Sequence, residues 1–167
     1  MDEVIADAIA RFQAWHRRDF QAELSREALW GRPMAEAVAT DRWPTVRQYP
    51  HAPGFFEDLP VMENSQHVLR QLAARYELYI ASAAMEFPAS FQEKYRWLQT
   101  HFDFIPWQHY VFCGDKSILN ADYLIDDNAY NLRAFRGEGL LFTAPHNVGE
   151  TEFRRVNDWN EVAQYFL

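Results

Sequence analysis

The sequence predicts an α/β fold, a parallel sheet of short strands with helices on both faces and a small helical insert near the N-terminus. Three observations predict it. Short apolar runs of strand composition, ELYIASAA, HYVFCGDK, ADYLIDD and GLLFTA, recur through the second half of the chain. Stretches with apolar residues every three or four positions separate most of them, as in helices that pack one face on a sheet. Finally, the runs give way to polar or charged residues, Ser82, Lys116 and Asp126-Asp127, where an open parallel sheet binds its ligands.

The first element is a helix. From Val4 to Phe20, Ile5, Ala8, Ile9, Phe12 and Trp15 make one apolar stripe. Between residues 21 and 56 several short helical patterns are interrupted by Gly31, Pro33, Pro44, Pro50, Pro53 and Gly54, which marks the helical insert. Asn64 is a candidate N-cap for a helix whose buried face is Val68, Leu69, Leu72, Ala73 and Tyr76, and this helix feeds the first apolar run. Pro88 can open the next helix, where Phe91, Tyr95, Leu98 and Phe102 share a face. A short helix from Asn128 to Phe135 stops near Gly137. Asp158 and Glu161 stand at capping-box spacing before Val162, Tyr165 and Phe166, which predicts a C-terminal helix.

Composition narrows the function classes. With 49% apolar and 16% aromatic residues in 167, the chain can bury a substantial core. A formal net charge of −8, with no basic run longer than a pair such as Arg17-Arg18, argues against a nucleic-acid polymer as partner. The single Cys113 excludes an internal disulfide and fits a reducing compartment; Cys113 itself falls in a strand and reads as a small apolar residue. Without a long apolar run or basic leader, the expectation is a cytoplasmic protein with no membrane partner.

Taken singly, the residues after the strands have ordinary explanations: Ser82 as a turn residue, Lys116 as a solvated cation, Asp126 and Asp127 as helix N-terminal acids. Together they suit phosphoryl transfer. Acids from separate strand ends can hold one hard divalent cation, a lysine can balance phosphate charge, and a hydroxyl can donate to a phosphoryl oxygen.

That order of residues resembles the haloacid dehalogenase superfamily, in which an Asp-x-Asp loop precedes a Ser or Thr, a Lys and an acidic pair. The stretches FFEDLPVMENSQHVLRQLA, YIASAA, KYRWL, FCGDKSILNADYLIDD and LFTAPHN are similar to the 5′(3′)-deoxyribonucleotidases of that superfamily over roughly residues 2 to 147. The resemblance implies a Rossmann-like core of residues 1–10 and 61–167 and a helical cap of residues 11–60. It implies magnesium as cofactor, held by Asp2, Asp126 and Asp127. It also implies catalytic roles for Asp2, Ser82 and Lys116. Substrate contacts are expected from Ser82, Ala83, Lys116, Phe55, Phe56 and Trp30, although the aromatics equally suit plain cap core. Ser82 stands where Thr is commoner, and Glu3 where a small residue is frequent.

The opening Met-Asp-Glu-Val matches only the last four positions of the family's Asp-Met-Asp-x-Val. The first Asp, the family's nucleophile, and the strand that carries it are therefore expected upstream of Met1. The expected partner is a small phosphorylated substrate, foremost a deoxynucleotide, hydrolysed through an aspartyl phosphate; a homodimer is compatible with this reading. Three alternatives stand beside it: a catalytically inactive nucleotide- or partner-binding protein, a phosphatase for another small ester, and a phosphotransferase or mutase.

Overall fold

The computed structural model describes residues 1–167. Residues 1–6 curl into a tight turn, with the Ile5 amide donating to the Met1 carbonyl at 2.9 Å and Glu3 in the left-handed region at φ 56°. That turn delays the first helix. Helix α1 runs Ala8–Phe20 rather than from Val4, and Asp7 caps it by accepting from the Ala10 amide at 2.8 Å. The proline-rich stretch forms the expected short helices, α2 (Arg26–Leu29), α3 (Met34–Ala37) and α4 (Trp43–Val46), followed by a 3-10 turn at Tyr49–His51.

Helix α5 (Ser65–Leu72) buries Val68, Leu69 and Leu72. Asn64 takes the N-cap position, but its side chain donates to Asn160 instead of receiving a helix amide. Thereafter strands and helices alternate: β1 (Ile80–Ser82), α6 (Ser90–His101), β2 (Tyr110–Phe112), β3 (Tyr123–Asp126), α7 (Ala129–Ala134), β4 (Glu138–Phe142), β5 (Arg154–Val156) and α8 (Trp159–Phe166). The α7-to-β4 turn depends on Gly137, where a Cβ would stand 2.4 Å from the Asp122 carbonyl oxygen. At α8 the capping pair forms, with Asp158 accepting from the Glu161 amide and Glu161 from the Asn157 amide.

All strand pairs are parallel, as the alternation predicted. They form two half-sheets, β1-β2 and β3-β4-β5, with Ala81 opposite Val111 and Ile125 opposite Leu140. Strand β5 escapes a search for apolar runs because it reads Arg-Arg-Val. It lies at an edge, where only Val156 needs to be buried. A 620 Å³ cleft separates β1 from β3.

One apolar cluster joins the N-terminal turn, α1, α5, α6, the strands and α8. Its two fully buried indoles satisfy their N–H groups: Trp97 donates to the Leu59 carbonyl at 2.8 Å and Trp159 to the Val4 carbonyl at 2.7 Å. The second bond ties α8 to the turn that carries Asp2. No helix is long and apolar enough to cross a membrane.

Candidate active site

Each half-sheet carries polar residues to the same rim. Ser82 is the last residue of β1 and is buried; its carbonyl accepts from the Cys113 amide at 3.0 Å, which fixes it against the end of β2. Asp126 is the last residue of β3, also buried. Lys116 starts a 3-10 turn whose N-cap, Asp115, accepts from the Ser117 amide at 2.9 Å. Asp2 arrives on the N-terminal turn.

Two linked clusters result. In the first, Lys94 of α6 donates to the Asp2 carboxylate at 2.6 Å and to the Ser82 hydroxyl at 3.3 Å, with its ammonium 4.2 Å from the centre of the Phe56 ring. In the second, Lys116 is paired with Asp126, whose other oxygen accepts from the Asn128 amide and the Asn131 side chain, both at 2.9 Å. Between them lies the buried nitrogen of Met1, which donates to the Ala81 carbonyl at 3.2 Å. Burial first, and then the Lys116 charge, lower the pKa of that ammonium. Burial alone would raise the Asp126 pKa, but Lys116, the Met1 ammonium and the hydrogen bonds together hold it below its ordinary value.

Asp127 is oriented differently. Its carboxylate faces His146 at 3.2 Å, and its carbonyl accepts from Asn147 at 2.7 Å. The hydrogen bond to Asp127 raises the His146 pKa. Asn147 also donates to the Phe142 carbonyl at 2.8 Å and accepts from Arg155 at 2.9 Å, so the loop after β4 is locked to β5. Glu3, beside Asp2, is buried; burial and then the Asp7 charge push its pKa up to about 8, although one oxygen accepts from the Ile9 amide.

The residues named from sequence thus do not all meet at one point. Asp2 and Ser82 meet through Lys94, and Lys116 and Asp126 meet directly, whereas Asp127 sits with His146. Ala83 follows Ser82 at the start of a 3-10 turn and is half-buried. Phe56 borders the first cluster, and Phe55 lies wholly inside the core, edge-on to Phe12, Trp15 and Phe56. Trp30 is exposed, next to Gly31, whose amide donates to the Pro145 carbonyl at 2.8 Å.

Sequence reading missed Lys94, His146 and Asn147 as site residues. Lys94 had a signal: it lies three residues after Phe91 and four before Leu98, on the apolar stripe of α6, where a charge must find a buried partner.

The oxygen donors suit a hard divalent cation, and the buried Asp2 Oδ1, which has no hydrogen-bond partner, is the kind of atom such an ion would satisfy. Asp126 keeps little spare capacity beyond its three present donors. No three His, Cys, Asp or Glu side chains converge on a common point.

A parallel α/β core with a hydroxyl, two buried lysines and strand-end acids at one rim is haloacid dehalogenase-like in class. Comparison with known sequences narrows it. A family model described as 5′ nucleotidase, deoxy (pyrimidine), cytosolic type C protein matches residues 1–167, and the chain belongs to that family. A Staphylococcus aureus protein named provisionally as a 5′(3′)-deoxyribonucleotidase is 43% identical over 169 residues, covering 100% of this chain and 92% of the relative. The 5′(3′)-deoxyribonucleotidase of Bacillus subtilis is 43% identical over 112 residues, 67% of this chain and 65% of that protein.

Proposed function

We propose that this protein is a magnesium-dependent phosphatase of deoxynucleoside monophosphates, working through an aspartyl phosphate. The observation that carries the reading is the convergence of Asp2, Ser82 and the buried Lys94 within hydrogen-bonding distance, beside a second buried lysine, Lys116. Two desolvated ammonium groups and a hydroxyl form a receptor for a dianionic phosphate, and exclusion of water strengthens each contact. The names of the relatives support a nucleotide as the bearer of that phosphate.

In this mechanism Ser82 and Lys94 hold the non-bridging oxygens, and Lys116 balances charge at the attacking carboxylate. In the family's Asp-x-Asp loop that carboxylate is the first Asp's and Asp2 is the second; Met1, the residue between them, has its nitrogen near Lys116 and Asp126. The first Asp's carboxylate attacks phosphorus as the bond to the nucleoside oxygen breaks, and Asp2 gives that oxygen its proton. Asp2 then takes a proton from water; the water oxygen bonds to phosphorus, releasing phosphate and restoring the carboxylate. Asp2 would hold magnesium together with Asp126 or Asp127 once that side chain leaves its present partner, Lys116 or His146, and the ion would supply charge neutralisation at the phosphoryl oxygens. Residues 11–60 act as the cap. Within it, exposed Trp30 offers a face for the base and Phe56 an apolar wall beside Lys94, while Phe55 supports Phe56 from the core.

The test is phosphate release from deoxyuridine, thymidine and sugar monophosphates, with magnesium or with chelator, by the 167-residue chain and by a form extended upstream by a strand ending in Asp. Release from the deoxynucleotides by the extended form in magnesium is the expected result. No release from any ester would overturn the phosphatase reading. A second reading is a nucleotide binder without turnover, since Lys94, Ser82 and Lys116 could hold a phosphate with no covalent step. Saturable nucleotide binding with no release by either form would select it.

A further inference from the structure

Helix α6 grips the chain where it returns from the cap to the core. Residues 93, 94 and 97 share one side of the helix, and each holds part of residues 54–59. The two oxygens of Glu93 accept from the Gly54 amide at 2.6 Å and from the Phe56 amide at 3.0 Å. Lys94 has its ammonium over the Phe56 ring, and Trp97 donates to the Leu59 carbonyl. Neither the Gly54 nor the Phe56 amide bonds to a main-chain carbonyl, so both depend on Glu93. Gly54 takes φ 83°, a conformation that favours glycine, and the bend brings both amides to a single carboxylate.

The neighbours Glu93 and Lys94 act on the same phenylalanine from two sides. Glu93 makes no hydrogen bond to Asp2 or Ser82, yet it fixes the backbone of Phe56, whose ring closes one side of the Lys94 ammonium. The other sides of that ammonium face Asp2 and Ser82. Phe56 is buried and is backed by Phe55 and Phe87, with ring centres 4.8 and 5.9 Å away. Lys94 and Lys116 are the two lysines of the chain, and both are buried at this rim. We propose that Glu93 is a positioning residue for the phosphate site: by holding the Gly54 and Phe56 amides it sets the Phe56 ring against Lys94, which keeps water from the ammonium that grips phosphate. For its ligand this rests on the proposed function, whereas the placement of the ring is read without one. As a bare negative charge one residue from Lys94, Glu93 would weaken phosphate binding, and removing it would tighten the complex. As a positioning group it has the opposite effect, because a displaced ring admits water and weakens the contact between ammonium and phosphate.

Glu93→Gln and Glu93→Ala are compared with the parent 167-residue chain by NMR and by calorimetric titration with inorganic phosphate in magnesium. Gln keeps one acceptor oxygen for the two amides and Ala keeps none; should the Ala protein fail to fold, Gln carries the comparison. The Lys94 ε-methylene signal, shielded by the Phe56 ring in the parent, should move toward that of an unshielded lysine, in part with Gln and further with Ala. The Gly54 and Phe56 amides should exchange about tenfold faster in Glu93→Ala. Phosphate affinity should fall about tenfold in Glu93→Ala and less in Glu93→Gln. An unmoved Lys94 signal overturns the proposal. So does a moved signal with phosphate affinity unchanged or higher, which would leave Glu93 a clamp on the chain and nothing more. A parent chain that takes up no phosphate overturns the receptor reading and this inference with it, whereas a parent and a Glu93→Ala protein that bind phosphate equally overturn this inference alone.

Discussion

Replacing Lys94 by methionine isolates the role of the buried ammonium, because methionine keeps most of the length and apolar volume. The side chain is 1% exposed, so its bonds to Asp2 and Ser82 and its contact with Phe56 form largely out of water. A charge-assisted bond to a carboxylate contributes about 1.5 to 3 kcal/mol, and a desolvated cation–π contact adds about 1 to 2 kcal/mol. Against this, methionine relieves the desolvation of the ammonium itself. What remains is the stranded partner: breaking a fully buried pair typically costs about 3 to 5 kcal/mol, because the other charge is left alone. The Asp2 side chain is 34% exposed, so water can reach it in part and the cost should lie below that range, at about 2 kcal/mol. Denaturant unfolding at neutral pH measures it. Adding Asp2→Asn should return about 1 kcal/mol or more, a coupling that a double-mutant cycle reads directly. A Lys94→Met protein as stable as the parent, or a double mutant showing simple additivity, would refute the assignment of Lys94 as the counter-charge of Asp2.

Other perturbations separate the remaining parts of the site. Because burial raises the Glu3 pKa to about 8, its ionisation works against folding: the penalty is absent below about pH 4.5 and accumulates as pH rises toward 8. Glu3→Gln should therefore gain stability over the parent with rising pH in that window, by a few kcal/mol at most, and pH-dependent denaturation showing a constant difference would count against it. Asp126 has the opposite sign, since its depressed pKa stabilises the fold above the ordinary carboxylate range and the benefit fades as pH falls through the lowered value. Asp126→Asn should cost about 3 kcal/mol at pH 7 and progressively less as pH falls below the ordinary carboxylate range, as followed by denaturant midpoints. Trp97→Phe removes the indole bond to the Leu59 carbonyl and leaves that acceptor buried, for a loss of about 1 to 3 kcal/mol in thermal or chemical unfolding.

The helices and most strands could be read from sequence because apolar spacing is a local property. The interruptions at Pro33, Pro44 and Pro50 correctly divided the insert into short helices, and Asp158 and Glu161 located α8. Boundaries failed where tertiary bonds took over. The Met1 carbonyl gathers the amides of the N-terminal turn and postpones α1, and Asn64 spends its amide on Asn160. Strand β5 was hidden because an edge strand needs little apolar content, and Arg155 is there to hold Asn147. Within the site, Ser82, Lys116 and Asp126 could be picked out because strand ends are a topological address. Lys94 lies on a helix face instead, and only its partners Asp2 and Ser82, 92 and 12 residues away in the chain, reveal its place.

The bond from Trp159 to the Val4 carbonyl spans 155 positions. During synthesis the turn bearing Asp2 emerges long before the indole that fastens it. Chains released early, or cut before α8, would keep their strands but lose the clasp on that turn, so that aborted products would be poor competitors for whatever the finished molecule binds.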